Sequence, residues 1–140
     1  MRDVKFHLIS VDSPGFIDEV LRQMAANVEY VNRENGWYED ERTFGDDVAL
    51  LHSEVSEALD AYRDHGFADA TEQLHEWGSQ PDPDYAPYRP KPEGVGSELA
   101  DVLIRLLDTA KRRGIDLAAE YRRKMQYNRT RGYRHGGKRL

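Results

Sequence analysis

Two segments decide the fold of this chain: residues 50–63, LLHSEVSEALDAYR, and residues 96–108, GSELADVLIRLLD. Their apolar residues recur at intervals of three and four, which is the spacing of an amphipathic helix. Each segment also carries two acidic residues three positions apart: Glu54 with Glu57, and Glu98 with Asp101. Residues three apart share one helix face, so each pair places two like charges side by side. Bringing both pairs together would require a cation, and hard cations such as Mg²⁺ prefer oxygen ligands.

Start and stop signals along the rest of the chain predict four helices. Pro14 suits a first helical turn, Thr43 with Asp46 resembles a capping box, and Ser97 can cap a third helix. Asn-Gly, His-Gly and Arg-Gly pairs mark helix ends. The predicted bounds are residues 14–35, 43–65, 97–114 and 117–130. With little strand-like alternation anywhere, this pattern predicts an all-α, four-helix bundle.

The second and third helices give different indications about their acidic residues. On the second, a core stripe is predicted at Val48, Leu51, Val55, Ala58 and Tyr62. Glu54 and Glu57 lie beside that stripe, so we expect them to be half-buried, against the alternative of ordinary boundary glutamates that reach water. The acidic residues of the third helix lie opposite a broad apolar face, in line with three more charged residues: Arg105, Asp108 and Arg112. Taken alone, that line is most simply an exposed, salt-bridged surface.

Composition fits one globular domain over residues 1–140, with 39% hydrophobic and 33% charged residues. No apolar run approaches the ~20 residues needed to cross a bilayer, and the N-terminus lacks the pattern of a secretory signal. Cysteine is absent, which excludes disulfides and thiolate zinc sites. These observations predict a cytoplasmic protein without a membrane partner.

Two segments interrupt the helical pattern. Residues 78–96 hold five of the six prolines and predict a long loop. Residues 131–140 form an irregular basic tail, and residues 121–140 contain eight Lys or Arg and no acid. The first 120 residues therefore carry 12 basic against 26 acidic side chains. Such a tail can bind nucleic acid, fold over the acidic body around a phosphate ligand, or remain solvated.

Together these residues resemble the MazG-like nucleotide pyrophosphohydrolases, the all-α NTP pyrophosphatases. That family carries E-x-x-E on one helix and E-x-x-D on the next, here Glu54–Glu57 and Glu98–Asp101. A third part is similar too, since residues 124–138, KMQYNRTRGYRHGGK, resemble its K-x-x-x-N segment and HGGK-type ending. The similarity spans roughly residues 14–138. One departure is the longer gap between the acidic motifs, which puts substrate choice more in doubt than metal binding.

The resemblance implies a MazG-like bundle that hydrolyses a nucleoside triphosphate, NTP or dNTP, to the monophosphate and pyrophosphate in nucleotide-pool housekeeping. It implies Mg²⁺, with Mn²⁺ as an alternative, held by Glu54, Glu57, Glu98 and Asp101. One of the two glutamates on the second helix can instead act as the catalytic base towards water. The family is usually dimeric or tetrameric and often builds sites from more than one subunit. The resemblance therefore implies a homodimer or homotetramer that completes the bundle.

Six further residues are predicted to bind substrate: Trp37, Arg105, Lys124, Asn128, Arg134 and Lys138. By similarity the tryptophan stacks on the base, Lys124 and Asn128 contact phosphate, sugar or base, and the two tail residues close over the phosphates. Each has a simpler alternative, namely a packing tryptophan, a surface lysine, a helix-end asparagine or a mobile tail. For Arg105 the alternative is an intrahelical salt bridge to Asp101 or Asp108.

Other functions stay open at this stage. A related enzyme would be a dUTPase-like or phosphoribosyl-ATP-type pyrophosphatase. A different class is a nucleic-acid-binding module that uses the basic tail, although few aromatics interleave with its charges and the acidic body would repel phosphates. A third is a non-catalytic helical interaction protein. Pyrophosphate release that stops with EDTA would single out the enzyme.

Overall fold

The computed structural model describes residues 15–67 and 91–132, and within them the chain is helical. The four described helices are α1 (Phe16–Glu34), α2 (Phe44–His65), α3 (Val95–Arg112) and α4 (Leu117–Arg129). No strand occurs in these two ranges, so the predicted all-α class and the four packed helices are confirmed. Pro14, most of the proline-rich loop and most of the basic tail lie outside the described residues.

Helix α3 is the centre of the fold. It packs most extensively against α2 and also against α1, while α4 packs on α1. Arg113, just past the end of α3, pairs with Asp47 near the start of α2, and Arg105 pairs with Glu54 further along. The two helices therefore run antiparallel. No helix in the described ranges is long and apolar enough to cross a membrane.

The linker between α1 and α2 is fixed at both ends by local hydrogen bonds. Gly36 adopts a positive φ of 77°, and the Trp37 N–H donates to the Asn32 carbonyl at 2.9 Å. A glycine in this left-handed conformation is the usual way to close a helix C-terminus. At the other end, Thr43 and Asp46 form the predicted capping box. The linker thus leaves α1 and enters α2 along a defined path.

Two other helix starts can be compared with the sequence-based expectation. The prediction that Ser97 caps α3 is wrong, because the helix begins at Val95 and the Ser97 hydroxyl donates to the Pro92 carbonyl at 3.1 Å. Helix α4 begins at residue 117 as predicted, and Asp116 caps it, since its carboxylate accepts from the Ala119 N–H at 3.1 Å. The bond to Pro92 ties the chain before α3 to the first turn of that helix.

The buried line of α2 differs from the predicted stripe. Val55 and Tyr62 are 51% and 46% exposed, whereas Asp47, Glu54 and Ala58 are buried. These three buried residues are spaced by seven and four, so they form one line along the helix. The stripe was misplaced because apolar residues cover more than one side of α2, while within this chain α3 covers only one.

Candidate metal centre

Three carboxylates meet where α2 faces α3. Glu54 comes from α2, and Glu98 and Asp101 come from adjacent turns of α3. One oxygen from each of the three lies within 4.8 Å of the others. Both glutamates are only 8% exposed, and Asp101 is half-buried. The structure therefore brings together three of the four predicted metal ligands, from the two predicted motifs.

Helix periodicity explains how these side chains reach one point. Glu98 and Asp101 are three apart and share a face of α3. Glu54 lies on the buried line of α2, one turn before Ala58, whose small side chain lets the two helices approach closely. The sequence-based reading of α3 as a solvent-exposed, salt-bridged surface is wrong for Glu98, because α2 covers it. Glu54 is also more deeply buried than the half-buried position expected for it.

The electrostatics of this cluster are unfavourable in the protein alone. Burial raises the pKa of Glu98, and the neighbouring charges of Asp101, Glu57 and Glu54 raise it further while Lys91 opposes them. The pKa of Asp101 is raised by burial first and then by Glu54. Both shifts show that the ionised forms are less stable here than in water. A bound cation would reverse that balance.

One oxygen of the cluster is buried without a hydrogen-bond partner. Among the described residues three buried side-chain atoms lack one: Arg42 Nε, Asp47 Oδ1 and Glu98 Oε2. The first two lie 3.5 Å apart in an ion pair. That leaves Glu98 Oε2 as a buried acceptor in a group of carboxylates with no hydrogen-bond partner among the described residues. A cation bound there would compensate for the missing hydrogen bond.

The donor set fits a hard divalent cation. Carboxylate oxygens are the ligands that Mg²⁺ and Mn²⁺ prefer. At metal–oxygen distances of about 2.1 Å, adjacent octahedral ligands lie about 3.0 Å apart and opposite ones about 4.2 Å apart. The oxygens of the cluster lie within 4.8 Å of one another, so rotation of the carboxylate side chains would have to bring most pairs closer together. Water and phosphate oxygens would complete the shell.

Glu57, the fourth predicted ligand, does not join the three-carboxylate cluster. It is exposed and accepts a hydrogen bond from the Ser53 hydroxyl at 3.1 Å. Its charge still acts on the cluster, since it raises the pKa of both Glu98 and Asp101. Glu57 therefore lies at the border of the site, close enough for its charge to act on Glu98 and Asp101, although its oxygens are not among the three that converge.

Arg105 links the acidic cluster to Trp37. Its Nε donates to Glu54 Oε1 at 2.9 Å, and its guanidinium lies 5.6 Å from the centre of the Trp37 ring. The alternative that Arg105 pairs within its own helix is wrong, because its ion pair crosses to α2. Trp37 is 49% exposed, so part of the indole remains accessible. An aromatic ring therefore lies next to the arginine that contacts the carboxylate of Glu54.

The other predicted substrate residues lie elsewhere. Lys124 and Asn128 are exposed on α4, which packs on α1, and neither side chain hydrogen-bonds to the acidic cluster within the described ranges. Arg134 and Lys138 lie outside the described residues. Within one chain the structure thus groups Trp37 and Arg105 with the carboxylates and separates Lys124 and Asn128 from them.

A second buried group of carboxylates, which was not predicted from the sequence, lies at the opposite end of the α2–α3 pair. Asp108 and Asp47 are each 2% exposed, and arginines from the linker and from the end of α3 surround them. A signal was present in the spacing. Asp47 precedes Glu54 by seven residues and Asp108 follows Asp101 by seven, so each helix carries two acids on the line that its partner covers.

Comparison with known proteins adds no relative: no protein-family model, no curated protein and no solved structure matches this chain. The resemblance to MazG-like enzymes therefore stays a prediction. It depends on the three ordered motifs and on the carboxylate cluster that two of them form.

Proposed function

We propose that this chain hydrolyses a nucleoside triphosphate, NTP or dNTP, to the monophosphate and pyrophosphate with Mg²⁺ or Mn²⁺. The observation that carries the proposal is the buried cluster of Glu54, Glu98 and Asp101, in which Glu98 Oε2 has no partner among the described residues. Like charges that are buried together cost stability and are retained where they serve a function. The resemblance to MazG-like enzymes supports a nucleotide as the substrate.

The residues of the cluster divide into two roles. Glu54, Glu98 and Asp101 would hold the cation, which would neutralise charge on the phosphate oxygens and lower the pKa of a nearby water. Glu57 is the base, because no cation pairs with it among the described residues and its carboxylate lies at the border of the cluster. The water oxygen bonds to a phosphorus of the α–β bridge, its proton passes to Glu57, and the bridging P–O bond breaks.

Trp37 and Arg105 form the part of the site that receives the rest of the nucleotide. The exposed part of the indole offers stacking to any base, which suits an enzyme of broad base preference. Arg105 can release Glu54 when a cation arrives and can then meet a phosphate oxygen. The Trp37 indole therefore provides a surface for the base, and the Arg105 guanidinium provides a positive charge for a phosphate, next to the metal ligands.

The test is pyrophosphate release from a panel of canonical and modified NTPs and dNTPs, with Mg²⁺ and then with EDTA. We expect turnover that EDTA stops, and we expect Glu57→Gln to abolish turnover with an unchanged helical circular dichroism spectrum. Asp60→Asn is the matched control, since Asp60 lies one turn further along α2 in an exposed pair with Arg63. Full activity in Glu57→Gln would show that Glu57 is not the catalytic base.

The competing function is tested in the same preparation by deleting residues 131–140. Loss of DNA binding together with an absence of pyrophosphate release from every nucleotide would favour the nucleic-acid-binding module. A raised KM for the nucleotide with unchanged kcat would instead favour a tail that closes over the phosphates.

We also propose that the chain works as a homodimer or homotetramer. Among the residues that the structure describes, buried apolar side chains are few. Helices α2 and α3 each keep an exposed apolar line at helical spacing: Val55, Leu59 and Tyr62 on α2, and Leu99, Leu103 and Leu106 on α3. Such lines are typical of helices that pack on another copy. A second subunit is also how Lys124 and Asn128 would reach the phosphates, since within one chain α4 packs on α1.

Light scattering after size-exclusion chromatography tests the assembly. Leu103→Glu is expected to yield monomers, whereas Tyr30→Glu, an equally drastic change at an exposed position of α1, is expected to leave the assembly intact. A wild-type monomer at micromolar concentration would refute the assembly without affecting the metal site.

A further inference from the structure

The second buried group of carboxylates is connected to the Trp37 backbone by one arginine, Arg112, which hydrogen-bonds to Asp108 and to the Trp37 carbonyl. Asp108 accepts hydrogen bonds from Asn32 of α1 and from Tyr38 of the linker, each at 2.9 Å. It also accepts from Arg112 Nε at 3.0 Å and from Arg42 Nη2 at 2.8 Å. Asp108 is thus a buried anion whose partners come from α1, the linker and α3.

Arg112 uses the other end of its guanidinium on the linker backbone. Its Nη2 donates to the Trp37 carbonyl at 2.5 Å, and the guanidinium lies 3.6 Å from the centre of the Tyr38 ring. The Nε bond to Asp108 and the contact with Tyr38 restrict the guanidinium, and the planar fork then fixes the carbonyl. Trp37 is therefore held through its backbone, while its indole stays half exposed beside Arg105.

We propose that Arg112, clamped by Asp108, is a positioning residue that holds the Trp37 indole beside the metal ligands and so sets the affinity for the nucleotide base. The inference rests on the proposed function, because it assumes that the base stacks on Trp37. The Arg112 side chain is only 11% exposed, and its contact with Trp37 is to the backbone carbonyl. It acts on substrate only through Trp37.

The neighbouring arginine provides a matched comparison. Arg113 Nε donates to Asp47 at 2.8 Å, and Arg113 Nη2 donates to the Arg42 carbonyl at 2.6 Å. Arg113 therefore joins a buried carboxylate to a linker carbonyl in the same manner as Arg112. The difference is that its carbonyl lies five residues beyond Trp37. Replacing either arginine by lysine keeps the charge and loses the fork that reaches the backbone.

The experiment compares Arg112→Lys with Arg113→Lys in a Trp77→Phe background, where Trp37 is the only tryptophan. The first measurement is acrylamide quenching of Trp37 fluorescence, which needs no substrate. We expect stronger quenching in Arg112→Lys and wild-type quenching in Arg113→Lys. Equal quenching in the two variants would overturn the positioning role, whatever the protein hydrolyses.

The second measurement is the kinetics on the best nucleotide of the panel. In Arg112→Lys we expect KM to rise about tenfold, the scale of one lost base–aromatic stacking contact, with kcat and Mn²⁺ affinity unchanged. Arg113→Lys should keep the wild-type KM. A lowered kcat with an unchanged KM would overturn the assignment to base affinity.

A double-mutant cycle then shows whether the arginine acts through the indole. Trp37→Ala alone should raise KM as much as Arg112→Lys does, and the double variant should raise it no further. Additive effects would mean that Arg112 acts by another route and would refute the proposal. If no nucleotide is hydrolysed, the proposed function and the assignment to base affinity fail together, while the quenching result still decides whether Arg112 positions Trp37.

Discussion

The two ends of the α2–α3 pair carry buried carboxylates in opposite electrostatic states. At one end, Asp108 takes four hydrogen bonds, and the partners Asn32, Arg112 and Tyr38 lower its pKa although burial opposes them. At the other end, the pKa values of Glu98 and Asp101 are raised by burial and by neighbouring acids. The compensated end holds the fold together. The other end is compensated only in part, by Arg105 on Glu54, and keeps negative charge that a bound cation would neutralise, which marks it as the candidate site.

The largest expected effect separates the two ends by stability. Asp108→Ala leaves Arg42 and Arg112 without their buried anion, so we expect a loss of about 3–5 kcal/mol in the free energy of unfolding. Asp101→Ala without divalent metal removes one of several like charges, so it should cost nothing or stabilise slightly. Urea denaturation of both variants measures the difference. Equal destabilisation would mean that both ends are structural.

The next effect is stabilisation by metal. Mn²⁺ at a hundred times its dissociation constant should raise the free energy of unfolding by about 2.7 kcal/mol, because it binds the folded chain alone. Glu98→Gln should abolish this gain, since it removes the charge of the carboxylate that carries the unpartnered oxygen. Asp47→Asn, an equally conservative change at a buried carboxylate of the other end, should retain the gain. Thermal denaturation with and without Mn²⁺ decides between them.

The pH dependence of stability should have opposite signs at the two ends. Asp108 has a lowered pKa, so its contribution is present above its unfolded pKa of about 3.9 and is lost as the pH falls through the folded value. Glu98 and Asp101 have raised pKa values, so their contribution is present at acid pH and is lost as the pH rises. In metal-free buffer, wild type should lose stability below about pH 4, and Asp108→Asn should lose less. If wild type and Asp108→Asn lose the same stability as the pH falls, Asp108 does not contribute to the acid dependence.

The smallest effect concerns Arg105, which contacts both the Glu54 carboxylate and the Trp37 ring. Arg105 neutralises part of the charge on Glu54, so Arg105→Gln should tighten Mn²⁺ binding by roughly 0.5–1 kcal/mol, the usual range for a partly exposed ion pair. Calorimetric titration measures this change. Weaker binding would mean that Arg105 chiefly orients the Glu54 carboxylate for the cation.

Much of the fold could be predicted from the sequence because its signals are local. Apolar spacing placed four helices, the Thr43–Asp46 capping box placed the start of α2 correctly, and α4 begins at residue 117 as predicted. The start of α3 was misplaced because Ser97 has the residue type of a cap, whereas the bond it makes is to Pro92, ahead of the helix. A serine near a helix start does not by itself reveal which backbone group its hydroxyl will bind.

The candidate site could be predicted only in part. Spacing found the carboxylates of both motifs, yet it could not separate Glu54, which faces α3, from Glu57, which faces solvent. Asp108 and Arg112 look like members of a solvated charged line on α3. Their burial depends on the linker and α1 packing against them, which no pattern within α3 contains.

The sequence by itself determined the helices and the residue types that can bind a cation, because both depend on neighbours within a turn or two. Only the tertiary structure decided which carboxylates meet without compensation and which are enclosed by arginines. That choice depends on side chains from segments about 50 to 75 residues apart, as with Arg105 and Glu54 or Asn32 and Asp108. Charge compensation acts through space, so the chain must fold before its acids become different from one another.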